Sequence, residues 1–189
     1  MTTDVSLNGV TDTLEGEEAL PSLAEFADEP GGTWTPGWYA GEIVEGYTTQ
    51  KGKTFLTEDA VSQKGDSRNL RICVRVVKGN LDRTLQETYN YRSTDFTPER
   101  IAFVKEAREE YKGVKGRWPD ADAQRSSLAI ASIGQIEKAA LAPGSFRRSQ
   151  GALVVGPLFG KKVDVRLTID EKGYNAITFI APAGSHVKA

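Results

Sequence analysis

Side chains suited to hold an anionic polymer cluster in three places along this chain. Arg71 and Arg75 stand at even spacing in residues 69–77 (NLRICVRVV), and Tyr89 and Tyr91 do so in residues 85–92 (LQETYNYR). Lys51, Lys53 and Phe55 fall within five residues around Gly52. Single-stranded nucleic acid is bound by cations that follow its backbone and by aromatic rings on which bases stack, at about 1–3 kcal/mol per stacked base. These residues supply both ingredients, and Arg68 and Arg92 flank them. Each group also has an ordinary structural explanation. Tyrosines of a small barrel often stand in its core with the hydroxyl at the rim, and Lys51–Phe55 fits a plain surface turn equally well.

Catalytic constellations are thin. Cys73 is the sole cysteine and sits in an apolar strand pattern, where burial is expected rather than reactivity. His186 is the sole histidine and lies in a polar carboxy-terminal stretch, so no His-based triad or His-containing metal cluster can be assembled. The pair Glu58-Asp59 falls in a polar stretch and carries no specific signal. Gly46 to Gly52-Lys53-Thr54 approximates a phosphate-binding P-loop, but five residues intervene, one more than that motif has, and the continuation Phe55-Leu56 is strand-like rather than helical. No catalytic residue, cofactor or metal is assigned.

The elements that must position these groups read as strands, then helices, then strands. Residues 38–47 form a first strand behind Pro36-Gly37, a turn is centred on Gly52, and residues 53–57 form a short second strand. Residues 58–68 (EDAVSQKGDSR) read as a loop. In the next strand Leu70, Ile72, Val74 and Val76 share one face while Arg71, Cys73 and Arg75 share the other. The sequence does not say which of these faces Tyr89 and Tyr91 join. Thr97-Pro98 opens a helix through about Lys112, marked by Ile101, Val104 and Tyr111. A second helix spans 122–141, with Leu128, Ile130, Ile133, Ile136 and Ala140 on its apolar face and Pro143-Gly144 stopping it. Val163, Val165, Leu167 and Ile169 then alternate with polar residues, and a turn at 170–173 leads into 175–181 as a closing hairpin. Trp34 and Trp38 are expected to anchor the entry of the first strand, and Trp118 the loop between the helices. The order predicts a mainly β, α+β fold: an OB-like Greek-key barrel with a two-helix insertion between the third or fourth strand and the final ones. One strand exceeds that pattern, so either 53–57 continues a long bent first strand or the barrel carries an elaborated hairpin.

Charge divides the chain. Residues 1–33 hold eight of the 26 acidic side chains and none of the 24 basic ones, which leaves the remainder near +6 although the whole is −2. The leader is expected to be a disordered acidic arm, in which Leu20, Leu23 and Phe26 could form one amphipathic turn. Residues 34–184 have the size of one domain, and 185–189 form a short tail. No apolar run approaches the roughly 20 residues of a membrane helix, and the amino terminus lacks export features, so a cytoplasmic protein without membrane contact is expected.

With these residues laid out, positions 21–184 resemble a family of small bacteriophage proteins from replication and recombination gene clusters, regarded as single-stranded DNA-binding proteins of OB fold. The resemblance is carried by Pro36-Gly37-Trp38-Tyr39-Ala40-Gly41-Glu42-Ile43, Thr49-Gln50-Lys51-Gly52-Lys53, Tyr89-Asn90-Tyr91-Arg92, Gly160-Lys161-Lys162-Val163-Asp164-Val165 and Tyr174-Asn175. It implies coating of single-stranded DNA without catalysis, in the host cytoplasm, with phage or host replication and recombination proteins as further partners and an oligomer compatible with the sequence. Bacterial single-strand binders end in an acidic recruiting tail, whereas this chain ends in Ser185-His186-Val187-Lys188-Ala189. The expected DNA contacts are Lys51, Lys53, Phe55, Arg68, Arg71, Arg75, Tyr89, Tyr91 and Arg92. Two other functions fit less closely: a protein-binding adaptor module and, more weakly, a metal-dependent nuclease.

Overall fold

Alternation of apolar and polar side chains along five strands produces a strongly curled antiparallel half-barrel, lined inside by Ile, Val and Leu. The computed structural model describes residues 34–113 and 118–188, so the acidic leader, with Leu20, Leu23 and Phe26, lies outside the described residues. The strands are β1 (Gly37–Val44), β2 (Gly46–Thr48), β3 (Thr54–Leu56), β4 (Glu58–Val61), β5 (Arg68–Lys78), β6 (Leu81–Tyr91), β7 (Arg148–Ser149), β8 (Ala152–Leu153), β9 (Lys162–Ile169) and β10 (Asn175–Pro182). Helices α1 (Pro98–Gly113) and α2 (Ala121–Ala140) lie between β6 and β7. The fold is thus α+β and mostly strand.

The main sheet runs β10-β9-β1-β5, with β6 on the far edge of β5 and β4 beside β1 on its near edge. β1 pairs with Cys73–Val76 and β4 with Arg68–Arg71, so the two are successive halves of one strand path along β5. Between them β2 and β3 leave the sheet as a side arm, with Tyr47 opposite Phe55. Thr57 closes the base of the arm, its N–H donating to Glu45 O at 2.8 Å and its hydroxyl to Val44 O at 2.6 Å. Of the two options left open by the sequence the structure shows the elaborated hairpin: 54–56 pairs with β2 in the arm, and β4 rather than 53–57 continues the path of the first strand. The stretch read as a loop contains β4, because its polar residues have partners across the ladder.

Leu70, Ile72, Val74 and Val76 are fully buried on the inner face, with Ile43, Val163, Val165, Leu167, Ile177 and Ile180. Gly41 stands among them because a Cβ there would lie 2.7 Å from Val74 Cγ1 and 3.3 Å from Arg75 O. The missing side chain lets β1 and β5 curl closely together. α2 covers this core with Ala129, Ile133, Ile136 and Ala140, while Leu128, expected on its apolar face, is exposed. The Asp120 carboxylate caps α2 by accepting from Ala123 N–H at 2.7 Å. Trp34 is buried against Tyr39 and is held by Asn175, which accepts from its N–H and donates to its carbonyl. Among the described residues no helix is long and apolar enough to cross a membrane.

Candidate nucleic-acid interface

Register decides which of the expected contact residues share a surface. β6 pairs with β5 so that Arg71 faces Thr88 and Arg75 faces Thr84, while Tyr89 faces Leu70 and Tyr91 faces Arg68. Directly opposed residues of a ladder point to the same side. Arg71 and Arg75 therefore stand on the outer face, and Arg68, Tyr89 and Tyr91 on the inner one. Tyr91 is fully buried and its hydroxyl donates to Asp59 Oδ2, so it has no free ring for a base. Tyr89 is half-buried against the core beside α2, and burial pushes its phenol well above the ordinary tyrosine value. A single surface carrying both arginines and both tyrosines is not formed.

The basic residues differ in how firmly they are held. Arg68 is 18% exposed and donates from Nε to Asp59 Oδ1 at 3.0 Å, and the Asp59 side chain is only 1% exposed. Arg92 donates to Asp95, Asp122 and Ser126, while Ser126 also donates to the fully buried Asp95 at 2.7 Å. That network ties the turn after β6 to α2, and it commits Arg92 to the fold. Arg71 and Arg75 pair instead with Glu58 and Asp82, in ion pairs with both partners more than a third exposed. Exposed pairs of this kind contribute little, so a phosphate can replace the carboxylate.

The arm formed by β2 and β3 gathers the remaining candidates. Tyr47 and Phe55 stack across it with ring centroids 5.0 Å apart and planes 10° apart. Lys53 Nζ sits 4.7 Å over the Phe55 ring. The tip turns tightly, Gly52 adopting φ +77° and its N–H donating to Thr49 O at 2.8 Å, and leaves Lys51 exposed. Gly46 is required at the base, since a Cβ there would lie 2.4 Å from Phe55 O. The arm is fastened to the outer face of the sheet: Gln86 Nε2 donates to Leu56 O at 2.9 Å, and Cys73 N–H to Thr57 Oγ1 at 2.8 Å. Cys73 is buried beneath it, as its strand pattern predicts. Burial, with a smaller effect of the Cys73 thiol, raises the Tyr47 phenol above its ordinary value against the pull of Arg83, so the ring stays uncharged at neutral pH.

A second aromatic group on this face involves the tail. Trp38 points outward from β1 opposite Arg166 of β9, and its ring meets Phe179 of β10 edge-on at 5.8 Å. The His186 ring lies flat on Trp38 at 3.7 Å and 10°. Asp164, on the same face and 1% exposed, accepts from the backbone N–H groups of Gly184 at 3.1 Å, His186 at 2.6 Å and Val187 at 2.9 Å. Burial alone would raise the Asp164 carboxyl, but these three donors outweigh it and hold it below the usual carboxylate range. A depressed folded value stabilises the fold above the unfolded value and loses that effect as pH falls through the folded one. In urea unfolding, wild type should therefore exceed Asp164→Asn in stability at neutral pH, and the difference should shrink once pH drops below the ordinary value of 3.8. A difference independent of pH would refute this account.

Sequence reasoning thus missed Tyr47, Trp38, Phe179, Arg166 and the returning tail. Strand parity was enough to place Trp38 opposite in face to Tyr39 and Ile43. Nothing local marks the tail, because its anchor lies some 20 residues earlier. Among the described residues no three His, Cys, Asp or Glu side chains converge as metal ligands. No protein-family model matches this chain, and no curated protein matches its sequence.

Proposed function

We propose that this chain is a non-catalytic, largely sequence-independent single-stranded DNA-binding protein whose half-barrel is an elaborated OB-type Greek-key barrel. The observation that carries the proposal is the Tyr47, Phe55 and Lys53 stack on an arm fixed to the sheet's outer face. A pre-stacked aromatic pair with a cation on it offers a base a ring and a phosphate a charge without first ordering either. Strand order supports the same function. Counting β1, β5, β6, β9 and β10 as the five barrel strands, the arm belongs to the connection between the first and second, and the helices follow the third. OB domains hold oligonucleotides with their second and third strands and with that first connection.

In this proposal Lys51, Lys53 and Phe55 keep the role expected of them and Tyr47 joins them. Arg71 and Arg75 exchange carboxylates for phosphates, whereas Arg68, Arg92 and Tyr91 serve the fold. Following the resemblance to phage proteins, the proposal extends to a role in DNA replication or recombination within a host cytoplasm, with other replication proteins as partners.

Titration with oligo-dT over a series of salt concentrations tests the proposal. The logarithm of affinity should fall with the logarithm of salt at a slope of about −0.7 per phosphate neutralised, and duplex of equal length should bind more weakly. Binding indifferent to salt, or none at micromolar protein, would overturn it.

A further inference from the structure

Trp38 carries on its outward face a ring from the same chain, that of His186. The His186 imidazole is a flat nitrogen heterocycle, held 3.7 Å from the indole and nearly parallel to it, which is the arrangement of a nucleobase stacked on tryptophan. It is not a core contact, since His186 is exposed. What keeps it there is the Asp164 carboxylate, which gathers three backbone donors of the tail, those of Gly184, His186 and Val187, onto the sheet. Residues 184–187 contribute no buried apolar side chain to the core, so their contacts with Asp164 and Trp38 can open while the sheet stays packed.

The surroundings of Trp38 suit a nucleotide. Phe179 stands edge-on to the indole and is 44% exposed, giving a second apolar wall. Arg166 is exposed and lies in register with both Trp38 and Phe179, a guanidinium within reach of a phosphate attached to the stacked base. Arg75 and Glu42 stand opposite each other on the same outer face, between this group and β6, so the surface continues towards the arm. Lys162 is paired there with Glu42 through an exposed contact, a further cation a phosphate could engage.

We infer that Trp38, Phe179 and Arg166 form a second base-stacking subsite for single-stranded nucleic acid, which His186 fills as an internal substitute for a base until the strand displaces it. The inference rests on the proposed DNA binding and adds a regulated subsite to it. Because the chain has one histidine, its ring protons report the site without ambiguity. In untagged protein those resonances should lie upfield, in the ring current of Trp38, and should move to free-imidazole positions on saturation with oligo-dT. His186→Ala should tighten oligo-dT binding, and Trp38→Ala should weaken it by about 5- to 150-fold. In the Trp38→Ala background the histidine change should have no effect.

Each other result is decisive. If wild type binds oligo-dT while the histidine signals stay upfield at saturation and His186→Ala binds unchanged, the tail is a structural cap; the inference falls and the DNA-binding function stands. A gain from His186→Ala that persists without Trp38 places the histidine's effect elsewhere and also overturns it. If neither wild type nor His186→Ala binds, the proposed function fails and this subsite with it.

Discussion

Asp59→Ala is expected to destabilise the protein by about 3–5 kcal/mol, the cost of leaving one member of a buried ion pair without its partner. The Asp59 side chain is 1% exposed and takes three donors: Arg68 Nε, the Tyr91 hydroxyl and the Leu153 backbone N–H. It therefore joins β4, β5, β6 and β8 at one end of the half-barrel, and removing it strands a guanidinium, a phenol and an amide together. The neighbouring carboxylate provides the control. Glu58 points to the opposite face and pairs with Arg71, both side chains being 38% exposed. Glu58→Ala should cost no more than about 0–1 kcal/mol. Urea unfolding at neutral pH, followed by tryptophan fluorescence, measures both. Equal costs at the two positions would show that burial of Asp59 is not what gives it weight.

That contrast also explains what the sequence revealed and what it concealed. Strands with a clean alternation were legible: β5 buries every residue its period selects, β9 buries Val163, Val165 and Leu167 while Ile169 is exposed, and both helices fall within a residue of their expected bounds. β4 was not legible because the side chain it buries is the Asp59 carboxylate while Val61, on the same face, is exposed, which reverses the pattern that marks a buried face. Its partner Arg68 likewise looked like a surface cation until pairing brought the two together. The face shared by Tyr89 and Tyr91 turned on a single residue of register, since a slip of one moves every side chain to the other side. Reading Gly79-Asn80 as a two-residue hairpin turn pairs Lys78 with Leu81 and sets the tyrosines inside; Gly79 has the positive φ, +60°, that such a turn favours at its first central position. In the arm the turn centre moved by one residue, which shifts the pairing by two and leaves each side chain on its own face. A turn centred on Gly52 sets Tyr47 and Phe55 out of step, whereas the observed centre at Lys51 places them directly opposite each other.

Because that pairing creates the stack, its two rings and its two lysines should fail differently when removed. Phe55→Ala or Tyr47→Ala should weaken oligo-dT binding by about 5- to 150-fold, the worth of one stacked base, with little change in salt slope. Lys51→Gln and Lys53→Gln should each lower the steepness of the salt dependence by about 0.7, the contribution of one phosphate contact on a single strand. Lys53→Gln carries an added loss, since the cation also rests on Phe55 and helps hold the ring. The double ring variant should lose less than the product of the single effects, because either ring alone leaves the other without its stacking partner. Cys73 supplies an independent check on folding: it stays buried beneath the base of the arm if the arm remains docked, so slow thiol labelling in every variant confines the loss to binding. Rapid labelling would trace the loss to a detached arm. Ring variants that bind as tightly as wild type with the thiol still protected would remove the arm from the interface.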